Sequence, residues 1–169
     1  MARTEAKKLF PEGYNKDPAT LAAGRYGTKE MCEFWGAEKT FGYSLKVQGQ
    51  AALTSSRLHP EIVQSELAKE IAGKASLRHI NPNRIRELEE ISGHDVIAIN
   101  SALEEVVSKS AGAHINKAKT SADTTQPARA LQLKASLEVI ADSVENLRDI
   151  IIEKSLEWKD VPHIELTHL

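Results

Sequence analysis

A long helical pattern of apolar residues runs through the last third of the chain. Six apolar residues recur there at alternating steps of four and three, as in a helix packed in a bundle. They are Leu133, Leu137, Ile140, Val144, Leu147 and Ile151. Good N-cap residues occupy 123–125, Pro127 suits a first turn, and no Gly or Pro follows before Pro162. The pattern predicts one helix from Pro127 to Trp158, about 48 Å long.

The predicted long helix lacks a partner of similar length in this sequence. Charges interrupt its apolar runs, so it does not resemble a membrane span. Its partners would then be other subunits, or segments beyond Leu169. The alternative for each single apolar residue is an ordinary core position.

Shorter helical patterns fill residues 28–110. They predict helices from Thr28 to about Leu58 with a bend at Gly42, from Pro60 to about Gly73, from Asn81 to Gly93, and from Asp95 to about Ser110. Ile62 and Ile91 are expected on the inward faces, and residues 163–168 as an extended return. Aromatic residues make up only 5% of the chain, which argues against a β-rich fold. The sequence therefore predicts an all-α fold.

Composition narrows the class of protein. The chain is 41% hydrophobic and 27% charged, as in ordinary soluble domains. A formal net charge of -2 gives no basic field for nucleic acid. The single cysteine, Cys32, fits a reducing compartment, and residues 1–11 lack the apolar stretch of a secretory signal. We expect a soluble cytoplasmic protein that binds neither membranes nor nucleic acid.

Polar motifs interrupt the helical patterns at two upstream points. Arg25 and Tyr26 lie between two glycines, where a turn could bring both side chains onto a phosphate or carboxylate. The alternative is a plain turn before a helix. His94 and Asp95 stand at a predicted helix start, whose dipole disfavours the charged imidazole and leaves a group able to exchange protons. The alternative there is a surface histidine beside a cap.

Two further polar motifs flank the long helix. Thr120 and Ser121 precede it, with Lys119 beside them, which is a reasonable anion site at a helix N-terminus. The alternative is an N-cap turn with solvated lysines. Thr167 and His168 close the chain. No phosphate-binding loop, dinucleotide-binding motif, zinc-protease motif or paired cysteines occur, so a metal enzyme is not supported.

These motifs, in this order and spacing, resemble the fumarase/aspartase superfamily, and adenylosuccinate lyases most closely. The matching segments are 25–31 (RYGTKEM) followed by Trp35, 94–96 (HDV), 120–124 (TSADT) with 130–134 (ALQLK), and 167–169 (THL). Ala118 replaces a glycine usual in the family, Asn116 a frequent histidine, and Glu165-Leu166 a common Gly-Arg pair. The resemblance covers about residues 17–169.

The resemblance implies a role for each motif. Arg25 and Tyr26 would bind the nucleotide phosphate, and His94 and Asp95 would line the nucleotide pocket. Thr120 and Ser121 would hold the substrate carboxylates, and Lys119 and Thr167 would also bind the substrate. His168 would be the general acid that protonates the departing nitrogen, with His94 as the second catalytic histidine.

The resemblance also implies an architecture and a reaction. Residues 1–112 would form a small N-terminal helical domain, and 113–169 the start of a central helix bundle shared by four subunits. The reaction would eliminate fumarate from adenylosuccinate, or from the related succinyl-carboxamide nucleotide of purine synthesis, without metal or organic cofactor. The family's mobile serine loop, which supplies the base, would lie beyond Leu169, so residues 1–169 alone are expected to be inactive.

Two other interpretations stay open. The chain could belong to a related lyase, such as an argininosuccinate lyase, in which the phosphate site at Arg25 and Tyr26 would have no ligand. Alternatively, it could be a non-catalytic helical module that oligomerises through the long helix. That module would bind neither adenosine monophosphate nor fumarate.

Overall fold

Helices are the only regular secondary structure within residues 27–165, the part of the chain that this computed structural model describes. They are α1 (Lys29–Phe34), α2 (Ala37–Leu58), α3 (Ser65–Lys74), α4 (Pro82–Ser92), α5 (Asp95–Glu104), α6 (Lys109–Gly112) and α7 (Ala122–Trp158). The predicted all-α fold class is confirmed.

The core forms around α2, which packs against α3, α5 and α7. Its buried stripe includes Phe41, Leu45 and Ala52. Gly49 permits the closest approach, because a Cβ there would lie 3.1 Å from the Ala72 Cα of α3. Helix α2 is therefore the central helix on which α5 and α7, the helices that carry the candidate site, pack.

The break in the first predicted helix lies at Gly36 and not at Gly42. Thr28 caps α1 as expected, since its hydroxyl accepts from the Met31 N–H at 3.2 Å. Gly36 then takes an extended conformation, φ -74° and ψ 158°, and becomes the N-cap of α2. Gly42 stays helical and lies against Leu77. The prediction of one helix with a bend at Gly42 is wrong, because the chain leaves helical geometry six residues earlier, at Gly36, and glycine is an accepted N-cap residue.

The helix predicted to open at Pro60 begins later, at Ser65. Turns at 59–63 place Val63 in the core, with only 3% of its surface exposed, and leave Ile62 largely exposed. These turns bury Val63, and α3 begins only after them. By contrast, α3 ends at Lys74, close to the predicted end.

Helix α4 follows its sequence signals closely. The Asn81 side chain accepts from the Asn83 N–H at 3.0 Å, and Pro82 is the first helical residue. Gly93 ends the helix at φ 66°, a left-handed conformation suited to glycine. Ile85 is buried as expected, whereas Ile91 is 78% exposed, so its predicted inward position is wrong. It lies in the last turn of α4, next to the capping Gly93.

Helix α5 stops at Glu104 and does not continue to Ser110. The Glu70 carboxylate of α3 accepts from the Ser108 N–H at 2.6 Å and from its hydroxyl at 2.9 Å. The Ser108 N–H therefore bonds to a side chain of α3 and not to a backbone carbonyl of α5. Ser108 instead caps the short α6, accepting from the Ala111 N–H at 3.2 Å.

Helix α7 extends over 37 residues and starts five residues before Pro127. Thr124 is not a cap but a buried residue inside the first turn. Only its N-terminal half packs on α1 and α2, through residues spaced four apart. These are Thr124, Ala128, Gln132 and Ser136. From 141 to 158 every residue is exposed.

The six apolar residues of the predicted bundle seam all lie on the open part of α7 or at its edge, and each is 47% to 59% exposed. Within the described residues no other helix covers this seam. None of the helices in that same part of the chain is long and apolar enough to cross a membrane. Residues 162–165 have no regular structure, so the predicted extended return is not a strand there, and 166–168 lie outside the described residues.

Candidate functional site

Two helix N-termini meet at the centre of the candidate site. His94 is the N-cap of α5, and Ser121 is the N-cap of α7. The Nε2 atom of His94 lies 3.3 Å from the Ser121 hydroxyl oxygen. Ser121 makes no capping hydrogen bond to α7 within the described chain, so its hydroxyl is directed to the imidazole. Two predicted site residues separated by 27 positions are thus brought together.

The Nδ1 atom of His94 lies close to two groups, the Val96 N–H and the Asp95 carboxylate. The Val96 nitrogen lies 3.2 Å from Nδ1, while Nε2 faces Ser121. The Asp95 carboxylate lies 3.1 Å from the same Nδ1 and 2.7 Å from the Val96 nitrogen. These contacts orient the imidazole so that Nε2 is directed toward Ser121.

Thr120 sits beside Ser121 and organises the start of α7. Its N–H and hydroxyl donate to the Asp123 carboxylate at 2.8 and 3.1 Å. Those two hydrogen bonds, and secondarily the charge of Lys119, hold the pKa of Asp123 below its usual range. The carboxylate also lies in the first helical turn, where the helix dipole favours negative charge.

Lys119 turns inward from the Thr120–Ser121 turn. Its Nζ donates to the Oε1 of Gln48, a side chain that is 1% exposed. Burial lowers the pKa of Lys119, and the charge of Asp123 partly opposes that effect. The ammonium therefore adds positive charge beneath the turn, although in this structure its direct partner is Gln48.

The loop before Lys119 adopts a left-handed backbone at two residues that are not glycine. Asn116 has φ 57° and Ala118 has φ 55°. Asparagine tolerates this region, whereas the Cβ of alanine is strained there. A glycine at 118, which is usual in the family that the motifs resemble, would fit this backbone without strain.

Replacing Ala118 by glycine is expected to stabilise the protein by about 0.5 to 1 kcal/mol, because relief of left-handed strain exceeds the added chain entropy. Urea unfolding measures the change. Ala113→Gly is the matched control, since Ala113 has φ -61° and should lose stability on substitution. A fall in stability for both variants would contradict this account of the loop.

The Asp123 carboxylate predicts a pH-dependent contribution to stability. Its folded pKa lies below the ordinary 3.8, so it stabilises the fold above that pH and the contribution is lost as pH falls through the folded value. Asp123→Asn should therefore be less stable than wild type at neutral pH, with the difference shrinking in acid. Thermal unfolding from pH 7 to pH 2 measures this, and a constant difference across the range would refute it.

Four predicted site residues cannot be placed. Arg25 and Tyr26 lie outside the described residues, as do Thr167 and His168. The structure therefore brings together His94, Asp95, Thr120 and Ser121, with Lys119 just beneath. Within the described residues no group of acidic, histidine or cysteine side chains is arranged to hold a metal ion.

Sequence reasoning missed a buried polar cluster under this site. The amide nitrogen of Gln48 lies 2.7 Å from Asn100 Oδ1, 3.0 Å from Thr124 Oγ1 and 3.3 Å from Asn116 Oδ1. Thr124 is fully buried, and Asn100 is nearly so. One signal was available, because Gln48 interrupts the apolar stripe of α2 between Leu45 and Ala52.

Comparison with known families agrees with the motifs that meet at this site. A family described as lyase matches residues 24–169, and the chain belongs to that family. The match spans both halves of the site, α5 with His94 and α7 with Ser121. The family relationship predicted from the four motifs is confirmed.

The chain is also similar to curated adenylosuccinate lyases from archaea and bacteria. It is 38% identical over 144 residues to the one from Methanocaldococcus jannaschii, covering 85% of this chain and 31% of that protein. Identity is 31% to the Methanothermobacter thermautotrophicus protein, with 85% and 32% coverage. It is 28% to the Helicobacter pylori protein, with 85% and 31% coverage. The chain thus spans about a third of the length of these relatives, and no solved structure matches it.

Proposed function

We propose that this protein is a lyase that eliminates fumarate from adenylosuccinate, and from the related succinyl-carboxamide nucleotide of purine synthesis. The observation that carries the proposal is the meeting of two helix N-termini at His94 and Ser121. Helix N-termini attract anions, and hydroxyl and imidazole groups supply directed hydrogen bonds to carboxylates. A succinyl group brings two carboxylates to such a place. The names of the relatives support the same substrate.

The chemistry accounts for these residue types. A base removes a proton from the carbon beside one carboxylate, and the resulting negative charge spreads into that carboxylate. Thr120 and Ser121 would stabilise this developing dianion, with Lys119 adding positive charge from beneath the turn. The C–N bond then breaks, and an acid near neutral pKa protonates the leaving nitrogen, which is the role proposed for His168.

Around that centre, the other residues would bind the nucleotide. His94 would hold the substrate through Nε2, and Asp95 would keep its ring oriented. Arg25 and Tyr26 would bind the phosphate, and Thr167 a carboxylate. No metal or organic cofactor is needed, since acid, base and anion-stabilising groups complete the reaction.

An oligomer would supply the partner that α7 lacks. The seam from Leu133 to Ile151 is about half exposed, which is costly for apolar side chains in water. We propose that residues 1–112 form one helical domain and that 113–169 begin a bundle shared by four copies of the protein. The one cysteine, Cys32, fits a cytoplasmic enzyme.

A substrate panel tests the proposal. The protein expressed from its whole coding sequence is incubated with adenylosuccinate or argininosuccinate, and fumarate is measured. We expect fumarate and adenosine monophosphate in equal amounts from adenylosuccinate alone. Turnover of argininosuccinate instead would assign the protein to the related lyase, and turnover of neither would overturn the proposal.

A non-catalytic oligomerisation module remains the second candidate, because the exposed seam on α7 suits it equally well. Ligand binding separates the two. The enzyme should bind adenosine monophosphate, and Arg25→Ala should abolish that binding, whereas the module should bind neither adenosine monophosphate nor fumarate in calorimetry.

A further inference from the structure

Gln48 is the side chain that joins the separate elements beneath the candidate site. It lies in the middle of α2, and 1% of its surface is exposed. Its amide nitrogen reaches Asn100 on α5 and Thr124 on α7, while its Oε1 accepts from Lys119 in the intervening loop. Asn116, at the start of that loop, lies within 3.3 Å. One buried amide thereby contacts three segments of the chain.

Those three segments are the ones that set the geometry of His94 and Ser121. Thr124 lies in the first turn of α7, three residues after Ser121. Asn100 lies less than two turns along α5 from His94. Lys119 immediately precedes the Thr120–Ser121 turn. Because a buried amide with unpaired hydrogen-bonding groups is costly, the contacts of Gln48 strongly favour one relative position of these segments.

We propose that Gln48 is a positioning residue for the candidate site, one that holds the Lys119–Ser121 turn and the start of α7 against the N-terminus of α5. It acts through Thr124, Lys119 and Asn100, and it does not contact substrate itself. Any effect of Gln48 on catalysis depends on the proposed lyase function, whereas its role in holding the turn does not.

Gln48 also determines the direction of the Lys119 side chain. The loop backbone at Asn116 and Ala118 is left-handed, so the turn before Ser121 is not held by a regular helix. The bond from Lys119 Nζ to Gln48 ties this irregular loop to the rigid α2. Without the Gln48 carbonyl, the ammonium would be free to move outward, and the turn would lose its anchor.

Gln132 provides a matched control for Gln48. It is also a buried glutamine at the packing of α7 on α2, and 2% of its surface is exposed. Its amide donates to the Phe34 carbonyl at 2.8 Å and to the Thr40 hydroxyl at 3.0 Å. It lies three turns of α7 away from Ser121. Gln132→Leu therefore removes a similar buried amide without touching the turn.

The test compares Gln48→Leu with Gln132→Leu in two measurements. The first is hydrogen exchange at the amides of Asp123, Thr124 and Thr125, which close the first turn of α7 on Thr120 and Ser121. Gln48→Leu should speed exchange there at least tenfold more than at core amides of α3, whereas Gln132→Leu should speed both only as its global stability falls.

The second measurement is steady-state kinetics on adenylosuccinate, with the protein expressed from its whole coding sequence. Gln48→Leu should lower kcat about tenfold to a hundredfold with little change in KM, because a misplaced turn harms the transition state more than binding. Gln132→Leu should leave kcat within about twofold of wild type, as expected for a residue that does not position the reacting groups.

The two measurements separate the possible failures. Equal exchange in the two variants at 123–125, after correction for stability, would overturn the positioning role. A normal kcat in Gln48→Leu would overturn its part in catalysis. A wild-type protein without lyase activity would overturn the proposed function, while exchange would still decide whether Gln48 holds the turn.

Discussion

His94→Asn is expected to lower kcat/KM for adenylosuccinate by about a hundredfold or more, because the substrate loses the imidazole Nε2 proposed to hold it. Asparagine is chosen because it can replace the Nδ1 cap of α5 and accept from the Val96 N–H. It cannot reproduce Nε2, which faces Ser121 at 3.3 Å. The loss would therefore come from the site and not from an uncapped helix. Steady-state fumarate release, with urea unfolding alongside, measures both effects.

His79→Asn is the control for this substitution. His79 is exposed in the turn between α3 and α4, so its replacement should leave kcat/KM unchanged. Ser121→Ala should reproduce part of the loss, because it removes the hydroxyl opposite Nε2. If His94→Asn retains wild-type kcat/KM, the junction of α5 and α7 is not the site of the reaction.

Introducing two lysines into the α7 seam, Ile140→Lys with Leu147→Lys, should dissociate the proposed oligomer. Burying each apolar side chain stabilises association by about 1.5 to 3 kcal/mol. Losing two such side chains therefore raises the dissociation constant by about a hundredfold to ten-thousandfold. Lysine keeps the helix propensity of these positions high, so α7 itself should remain helical. Sedimentation equilibrium over a range of protein concentrations measures the change.

The double variant Ser143→Lys with Asn146→Lys is the matched control. Both residues are exposed on the same stretch of α7, and the change in charge is identical. Their substitution should leave the oligomer intact, because they lie beside the seam and not on it. Equal dissociation of both double variants would point to charge repulsion, and the seam would lose its assigned role.

Helix ends that depend on neighbouring residues could be predicted from the sequence. Asn81, Pro82 and Gly93 bound α4 as expected, because capping and left-handed termination depend on neighbouring residues. The end of α5 was mispredicted because Glu70, 38 positions earlier, accepts the Ser108 N–H. Long-range hydrogen bonds of this kind leave no periodic signature in the sequence.

The start of α7 shows the same limit. The sequence predicts Thr124 as a possible N-cap, because threonine often caps helices. Its hydroxyl instead meets Gln48 at 3.0 Å, which allows the helix to begin at Ala122. The alternative of ordinary core positions is wrong for the seam residues, each of which is about half exposed, whereas their packing against other subunits stays a prediction.

For the candidate site, the sequence indicated the chemical groups but not their distances. His94 and Ser121 were expected from separate motifs, and the 3.3 Å contact required the packing of α5 and α7 on α2. Gln48 was missed because a lone glutamine in a helix is usually solvated. Its burial arises only when three other segments supply partners for its amide.

The most direct test of the account is NMR of the protein with adenosine monophosphate and fumarate added together. If the junction of α5 and α7 is the site, the His94 ring nitrogens and the amides of Thr120 and Ser121 should shift in a saturable manner, while the Gln132 side-chain amide stays unchanged. Shifts confined to the groove that Lys29, Lys39 and Arg86 line, with none at His94 or Ser121, would contradict it.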